Sequence, residues 1–151
     1  MPAPLTFRPA SPVDRTDLMA LQWRASLGNP RDREAVLTRA DAINISPEQL
    51  TAEQAVVAVL NGVDVGFALV LPFKDGAAEL EGLFVDPGHW TLGIGRALCD
   101  EAQELARAMG ATHLRVVANP EAVGFYADIG FESVGTTQTD FGPAPLMQLT
   151  L

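Results

Sequence analysis

Apolar positions recur at spacings of three and four through Leu18, Leu21 and Ala25, and again near Val36, Leu37 and Ala40. This period predicts helices over Pro12–Ser26 and Arg31–Ala42 with those residues facing inward. Ser11 or Asp14 supplies a cap for the first, and Gly28-Asn29-Pro30 separates the two. Leu5–Arg8, ahead of them, reads as a short strand, and Ser46-Pro47-Glu48-Gln49 opens a further helical turn. From residue 55 the pattern changes to β-rich runs. Ala55–Leu60 and Val63–Leu71 flank the hairpin dipeptide Asn61-Gly62, and Lys74-Asp75-Gly76 turns the chain into a third strand, Ala78–Val85, ended by Asp86-Pro87-Gly88. Ile94, Leu98, Ala102, Leu105 and Met109 restore a helical stripe over Gly93–Met109, with Gly110 as its C-cap. His113–Ala118 is predicted as a strand, Pro120–Ile129 as a helix closed by Gly130, and Phe131–Val134 and Pro145–Leu151 as the last two strands. This order implies an α/β (α+β) fold, a mixed central sheet with helices on both faces. No repeat, low-complexity tract or linker divides residues 1–151, so one domain is expected.

Composition narrows the picture. With 151 residues and 48% hydrophobic content the chain can bury a core without a disulfide or metal staple. The single cysteine, Cys99, forms no internal disulfide, and no run is apolar enough to span a bilayer. The N-terminus lacks the signature of a signal peptide, so the expected location is the cytoplasm, with no membrane partner. Ten basic against nineteen acidic residues give a net charge of −9, which argues against nucleic-acid binding and is compatible with a cationic small molecule. Solubility alone also accounts for that charge.

The chemistry concentrates after the third strand. Val85 to Ala97 joins a strand to a helix through a glycine-containing loop. Gly93 and Gly95 let the main chain approach a ligand, and the first helical N–H groups, without partners in the helix, form an anion site suited to a pyrophosphate; on this feature alone, glycines that merely permit the turn are at least an equal reading. Arg96 adds a cation there. A dinucleotide fingerprint is absent, because position 98 is leucine, and so is the phosphate-loop Gly-Lys-Ser/Thr.

The stretch Glu79-Leu80-Glu81-Gly82-Leu83-Phe84-Val85-Asp86-Pro87, followed by Gly93-Ile94-Gly95-Arg96-Ala97-Leu98, resembles the central motif of the GCN5-related N-acetyltransferase (GNAT) family. Asn119-Pro120-Glu121-Ala122-Val123-Gly124-Phe125-Tyr126-Ala127-Asp128-Ile129-Gly130-Phe131 resembles that family's next motif, Asn-x-x-Ala-x-x-Phe-Tyr-x-x-x-Gly-Phe. The resemblance covers about residues 55 to 135 and departs from the pattern at Trp90, which stands where a glutamine or arginine is usual. It implies an acetyl-CoA-dependent acyltransferase that moves the acetyl group directly to a primary amine. The implied cofactor contacts are the main chain of Leu83, Phe84 and Val85 with the acetyl and pantetheine arm, Thr91, Leu92, Gly93, Ile94, Gly95, Arg96 and Ala97 around the pyrophosphate, and Asn119 from the far side of the cleft. In the family the strand carrying Leu83 splays from its neighbour, which makes Leu83 N–H the candidate to polarise the thioester carbonyl. Tyr126, the single tyrosine, falls where family members place a general acid for the departing thiolate, and a phenol stays protonated at neutral pH.

Acceptor deprotonation calls for a base, because a lysine-like ammonium titrates near about pH 10.4. Glu79 and Glu81 alternate with Leu80 and Gly82 and so share a strand face, from which either could serve directly or through water. Glu81 is preferred for its nearness to Leu83; a solvated strand face is the alternative. His89 and His113 read as surface residues, Cys99 as a buried or half-buried small residue, Trp90 as a cleft aromatic, and Trp23 equally as a cleft aromatic or as core. No His, Cys and Asp spacing suggests a metal. The expected partner is a small-molecule or peptide amine, and a homodimer using Pro145–Leu151 is compatible with the family. A noncatalytic acyl-CoA binding or sensing module on the same fold is the alternative function.

Overall fold

The computed structural model describes residues 4–39, 41, 43–139 and 142–151. Seven strands form one sheet: β1 (Leu5–Pro9), β2 (Ala55–Leu60), β3 (Val63–Pro72), β4 (Ala77–Val85), β5 (His113–Val117), β6 (Glu132–Thr139) and β7 (Gly142–Thr150). Their order is β1-β2-β3-β4-β5-β7-β6. Every pairing is antiparallel except that of β4 with β5. The β2–β3 turn follows from its sequence: Asn61 and Gly62 both take positive φ, 54° and 75°, as a tight right-twisted hairpin requires.

The α-helices are α1 (Arg15–Leu27), α2 (Pro30–Thr38), α3 (Ile94–Ala108) and α4 (Val123–Ile129). The stripe on α3 places Leu98, Cys99, Ala102 and Ala106 against Ala68, Val70, Leu80 and Leu114 on one face of the sheet. On the other face Leu18 and Leu21 of α1 pack with Leu50, Val57, Phe67 and Leu69. Helices on both faces therefore agree with the expected layering. Gly66 lets α3 sit close to β3: a Cβ there would lie 2.9 Å from both Leu98 Cδ1 and the Phe84 carbonyl oxygen. No helix among the described residues is long and apolar enough to cross a membrane.

Two expectations need correction. The second helix ends at Thr38; Val36 is buried but Leu37 is 62% exposed, because the helix lies on the rim with only part of its apolar stripe covered. Ala40 lies outside the described residues. The final hairpin is longer than its apolar pattern suggests, with β6 running to Thr139 and β7 starting at Gly142. Residues Gly135–Thr139 are polar and mostly exposed because β6 is an edge strand and buries little. Pro143 and Pro145 are tolerated in β7 for a geometric reason. Pro145 O accepts from Ala118 N at 2.8 Å, so its nitrogen also faces the β5 side, beyond the last β5–β7 pair, Val117↔Leu146. Pro143 loses no ladder bond, and Pro145 forgoes only the reciprocal bond to Ala118 O at the very end of the ladder.

Arg8 ties the first strand to its surroundings. Its guanidinium donates to both Asp14 carboxylate oxygens at 3.0 Å and to Asp64 Oδ2 at 2.8 Å. Asp14 also accepts the Ser11 N–H at 2.9 Å. The Arg8 hydrogen bonds hold the Asp14 carboxyl below its ordinary value of 3.8. A depressed carboxyl contributes stability that is present above its unfolded pKa and lost as pH falls through the folded one. Because Arg8 is partly exposed, Arg8→Ala should lower the unfolding free energy by only about 1–2 kcal/mol at neutral pH. The deficit should shrink below about pH 4, as urea titrations at neutral and acid pH would measure.

Candidate active site

The site begins where two strands part. β4 and β5 pair through Ala77↔His113, Ala78↔Leu114 and Glu79↔Arg115 and no further, although β4 continues to Val85. A bulge in β4 accompanies the parting: Leu69 faces Gly82 and Val70 faces Leu80, leaving Glu81 without a ladder partner. The extra residue changes which side chains face which layer. Ala78 and Leu80 belong to the α3-side core, and beyond the bulge Leu83 and Val85 pack there, while Phe84 meets Phe67 on the α1 side at 5.4 Å.

The same alternation orients the main chain. Asp86 N–H donates to Val65 O of β3 at 2.8 Å, so the peptide groups of Val85 and Leu83 point the other way, into the gap. The gap opens into a cleft of about 610 Å³. Leu80 to Val85 form one wall and Val116 to Asn119 the other, while Gln22, Ser26 and Asp32 from α1 and α2 border it. α3 starts from Gly93, whose φ of 73° is left-handed and favours glycine. Gly93 to Ala97 are not among the residues lining the cleft, although a Cβ on Gly95 would lie 3.8 Å from Val85, which is. The first helical bond here is Ala97 N–H to Gly93 O, so the N–H groups of Ile94, Gly95 and Arg96 precede the ladder. Gly95 has ordinary space around it, a Cβ meeting Phe125 at 3.5 Å. Arg96 is exposed on this first turn. The side chains of Thr91 and Leu92 lie outside the described part of the structure.

Tyr126 lies on the cleft wall, 8% exposed. Its ring meets Phe125 and Phe131 edge-on, with centroids at 5.1 and 5.3 Å. Burial, with a smaller contribution from nearby Cys99, raises the phenol above its ordinary value of 10, so it remains a proton donor across the neutral range. Cys99 itself is fully buried on α3, its thiol pushed up to about 11 chiefly by burial, which suits packing and not nucleophilic attack.

The two glutamates separate. Glu81 lines the cleft with its side chain exposed to it, and partial desolvation by the cleft walls, followed by the charge of Glu79, raises its carboxyl above 4.5. Glu79 is not among the cleft residues; it lies 3.6 Å from Arg115 Nε, whose guanidinium sits 4.1 Å from the Phe73 ring centre. Asn119 lines the cleft but its amide is already engaged, Nδ2 donating to Asp32 at 2.9 Å and Oδ1 accepting the Glu121 N–H at 3.0 Å. His89 Nδ1 lies 3.8 Å from Asp86 and His113 Nδ1 2.8 Å from Thr112 Oγ1, both away from the cleft walls. Sequence reasoning assigned residues 12 to 42 to the acceptor side but did not single out Gln22, Ser26 or Asp32, which belong to no motif. It missed that Trp90 donates its indole N–H to the Val85 carbonyl at 2.7 Å.

A sheet that parts beside a glycine-started helix is what the motifs anticipate, and comparison with known proteins decides the matter. The profile of the acetyltransferase (GNAT) family matches residues 16–131. The chain belongs to that family. Among its relatives, the peptidyl-lysine N-acetyltransferase YjaB of Salmonella typhimurium is 32% identical over 130 residues, covering 84% of this chain and 85% of that protein. YjaB of Escherichia coli is 34% identical over 87 residues, 56% of this chain and 54% of that one. A solved GCN5-related N-acetyltransferase from Rhodopseudomonas palustris superposes with a TM-score of 0.76 at 26% identity, covering 100% of this chain and 98% of its own. The PaiA N-acetyltransferase of Thermoplasma acidophilum, solved with coenzyme A, shares the fold at 19% identity, with a TM-score of 0.73 over 98% of this chain and 99% of that one. This GNAT enzyme is thus an N-acetyltransferase, and its strand order and helix layers are those of the family fold.

Proposed function

We propose that this GNAT enzyme transfers the acetyl group of acetyl-CoA to the side-chain amine of a lysine, with Glu81, Leu83 and Tyr126 acting in one cleft. The observation that carries the reading is the parted β4 edge, whose Leu83 and Val85 peptide groups face a gap walled on its other side by Tyr126. Free main-chain amides there fit the amide-bearing arm of a thioester, and the N–H groups opening α3 at Gly93 fit its pyrophosphate. Residues Thr91 to Ala97 would hold the nucleotide end, with Arg96 as the local cation. When bound, acetyl-CoA supplies the activated acyl carbon.

The residues divide the remaining work. Glu81, directly or through a water, takes a proton from the acceptor ammonium and so exposes the nucleophilic lone pair. Leu83 N–H donates to the thioester oxygen as negative charge gathers on it. As the C–S bond breaks, Tyr126 gives its phenolic proton to the leaving sulfur, and the second proton shed by the newly acylated nitrogen returns to the phenolate through solvent. Glu79, paired with Arg115, acts on Glu81 through its charge and not on substrate. Asn119 shapes the wall by holding Asp32 and retains one N–H for the cofactor. A lysine is favoured because the cleft lining carries Asp32, Glu81 and Glu121 but, among the described residues, neither Lys nor Arg, and because the similar YjaB proteins are named for peptidyl-lysine.

Calorimetry with coenzyme A, followed by thiol release from acetyl-CoA in the presence of a lysine-containing peptide, tests the reading. The expected result is saturable binding, peptide-dependent release and a mass increment on the lysine Nζ. Absence of nucleotide binding, or release indifferent to the peptide, removes it.

A further inference from the structure

Trp90 takes part in none of those proton or acyl movements, yet it touches both sides of the site. Its indole N–H donates to the carbonyl of Val85, the last residue of the parted strand, at 2.7 Å. The six-membered end of the indole lies over Gly28 at the end of α1. A Cβ built on Gly28 would come within 2.6 Å of Trp90 Cη2 and 3.0 Å of Cζ2, with Pro87 Cγ at 3.1 Å. Gly28 has φ −74° and ψ −14°, an ordinary helical conformation, so the backbone does not need glycine there. The indole needs the room.

The turn from Gly28 to Asp32 is fastened at its other end too, where Asn119 Nδ2 donates to Asp32 Oδ1. It therefore runs from the β4 side of the cleft to the β5 side, and Trp90 is its attachment on the β4 side. Trp90 is itself a cleft-lining residue, 47% exposed. By occupying the Val85 carbonyl it leaves Leu83 N–H, Leu83 C=O and Val85 N–H as the main-chain groups offered at the gap.

We propose that Trp90 is a positioning residue for the transfer reaction, coupling the α1–α2 turn that borders the acceptor space to the strand edge that seats the thioester. The inference rests on the acetyl-CoA reading of the cleft. Its chemistry has two separable parts. The hydrogen bond fixes the end of β4, and the ring contact fixes the turn.

Two substitutions separate those parts. Gly28→Ala is ordinarily neutral or mildly stabilising in helical backbone, but here its methyl must displace the indole. Trp90→Phe keeps an aromatic ring over Gly28 and removes the donor. With acetyl-CoA and a lysine-containing peptide as substrates, Gly28→Ala should raise the acceptor KM about tenfold while the thermal midpoint stays close to wild type. Trp90→Phe should leave the acceptor KM near wild type and raise the acetyl-CoA KM about threefold. In a Trp90→Ala background, adding Gly28→Ala should cost little further, because the ring is gone and only the contact with Pro87 Cγ remains to be relieved. A merely structural contact would lower the melting point and would not split the two KM values. An active wild type whose acceptor KM is indifferent to Gly28→Ala, or effects that simply multiply in the double variant, would overturn this proposal alone. A wild type that fails to bind coenzyme A in calorimetry would remove the reading of the cleft and this proposal with it.

Discussion

Tyr126→Phe is expected to lower kcat for acetyl transfer about a hundredfold while leaving coenzyme A affinity nearly unchanged. The substitution removes one hydroxyl and keeps the ring, so the edge-on contacts to Phe125 and Phe131 persist. The hydroxyl makes no hydrogen bond among the described residues, so its loss strands no partner and the fold should melt within about 1 kcal/mol of wild type. The diagnostic measurement varies the leaving group. An acetyl thioester of an acidic aromatic thiol departs without help from a proton, so it should restore most of the variant's rate. An equal deficit with both thioesters, or an unchanged kcat, would show that Tyr126 serves packing. Because burial raises the phenol, the wild type should not lose this donor at mildly alkaline pH.

Glu81→Gln is expected to cost roughly tenfold to a hundredfold in kcat/KM at neutral pH and to erase the acid limb of the pH profile. The limb follows from the environment of the carboxyl: partial desolvation first, then the charge of Glu79, lifts it above 4.5, so wild-type rate should climb through a midpoint higher than an ordinary carboxylate gives. Glu79→Gln removes the like charge and should move that midpoint down. Stability should respond in the opposite sense to activity. A carboxyl whose folded pKa is raised contributes stability that is present below its unfolded pKa and lost as pH rises through the folded value. At neutral pH that contribution is gone, but the Glu81 side chain is exposed, so the uncharged Glu81→Gln variant should melt only marginally above wild type while catalysing more slowly. Retention of the acid limb in Glu81→Gln would reassign the base.

Most of the fold was readable because its signals are local. The Asn61-Gly62 turn and the Ile94–Leu98–Ala102 stripe need only neighbours in sequence. The extent of β6 was not readable, since a polar edge strand such as Gly135–Thr139 buries little and leaves no alternation to detect. The parting of β4 from β5 beyond Glu79 was anticipated through the family resemblance, and the left-handed start of α3 through Gly93 itself; the roles of Leu83 and Val85 in binding stay proposals. Side-chain pairings across long separations were not legible. Asn119 meets Asp32 across 87 positions and Glu79 meets Arg115 across a parallel junction, and neither partner carries a local signature. Glu79 and Glu81 looked equivalent by alternation, but the bulge leaves Glu81 outside the ladder at the cleft while Glu79 stays in it opposite Arg115.

The short β4–β5 ladder has a mechanical consequence. Three residue pairs stitch the β1–β4 block to the β5–β7 block, so the sheet has a natural crease running along the groove. Any extended molecule that bonds to the bare rim of β4 acts as a substitute strand and braces that crease, and occupancy adds stability in proportion to the logarithm of its concentration over Kd. Deuterium uptake at Leu83 and Val85 should slow on such bracing, and the backbone would then register its own substrate as a missing piece of sheet.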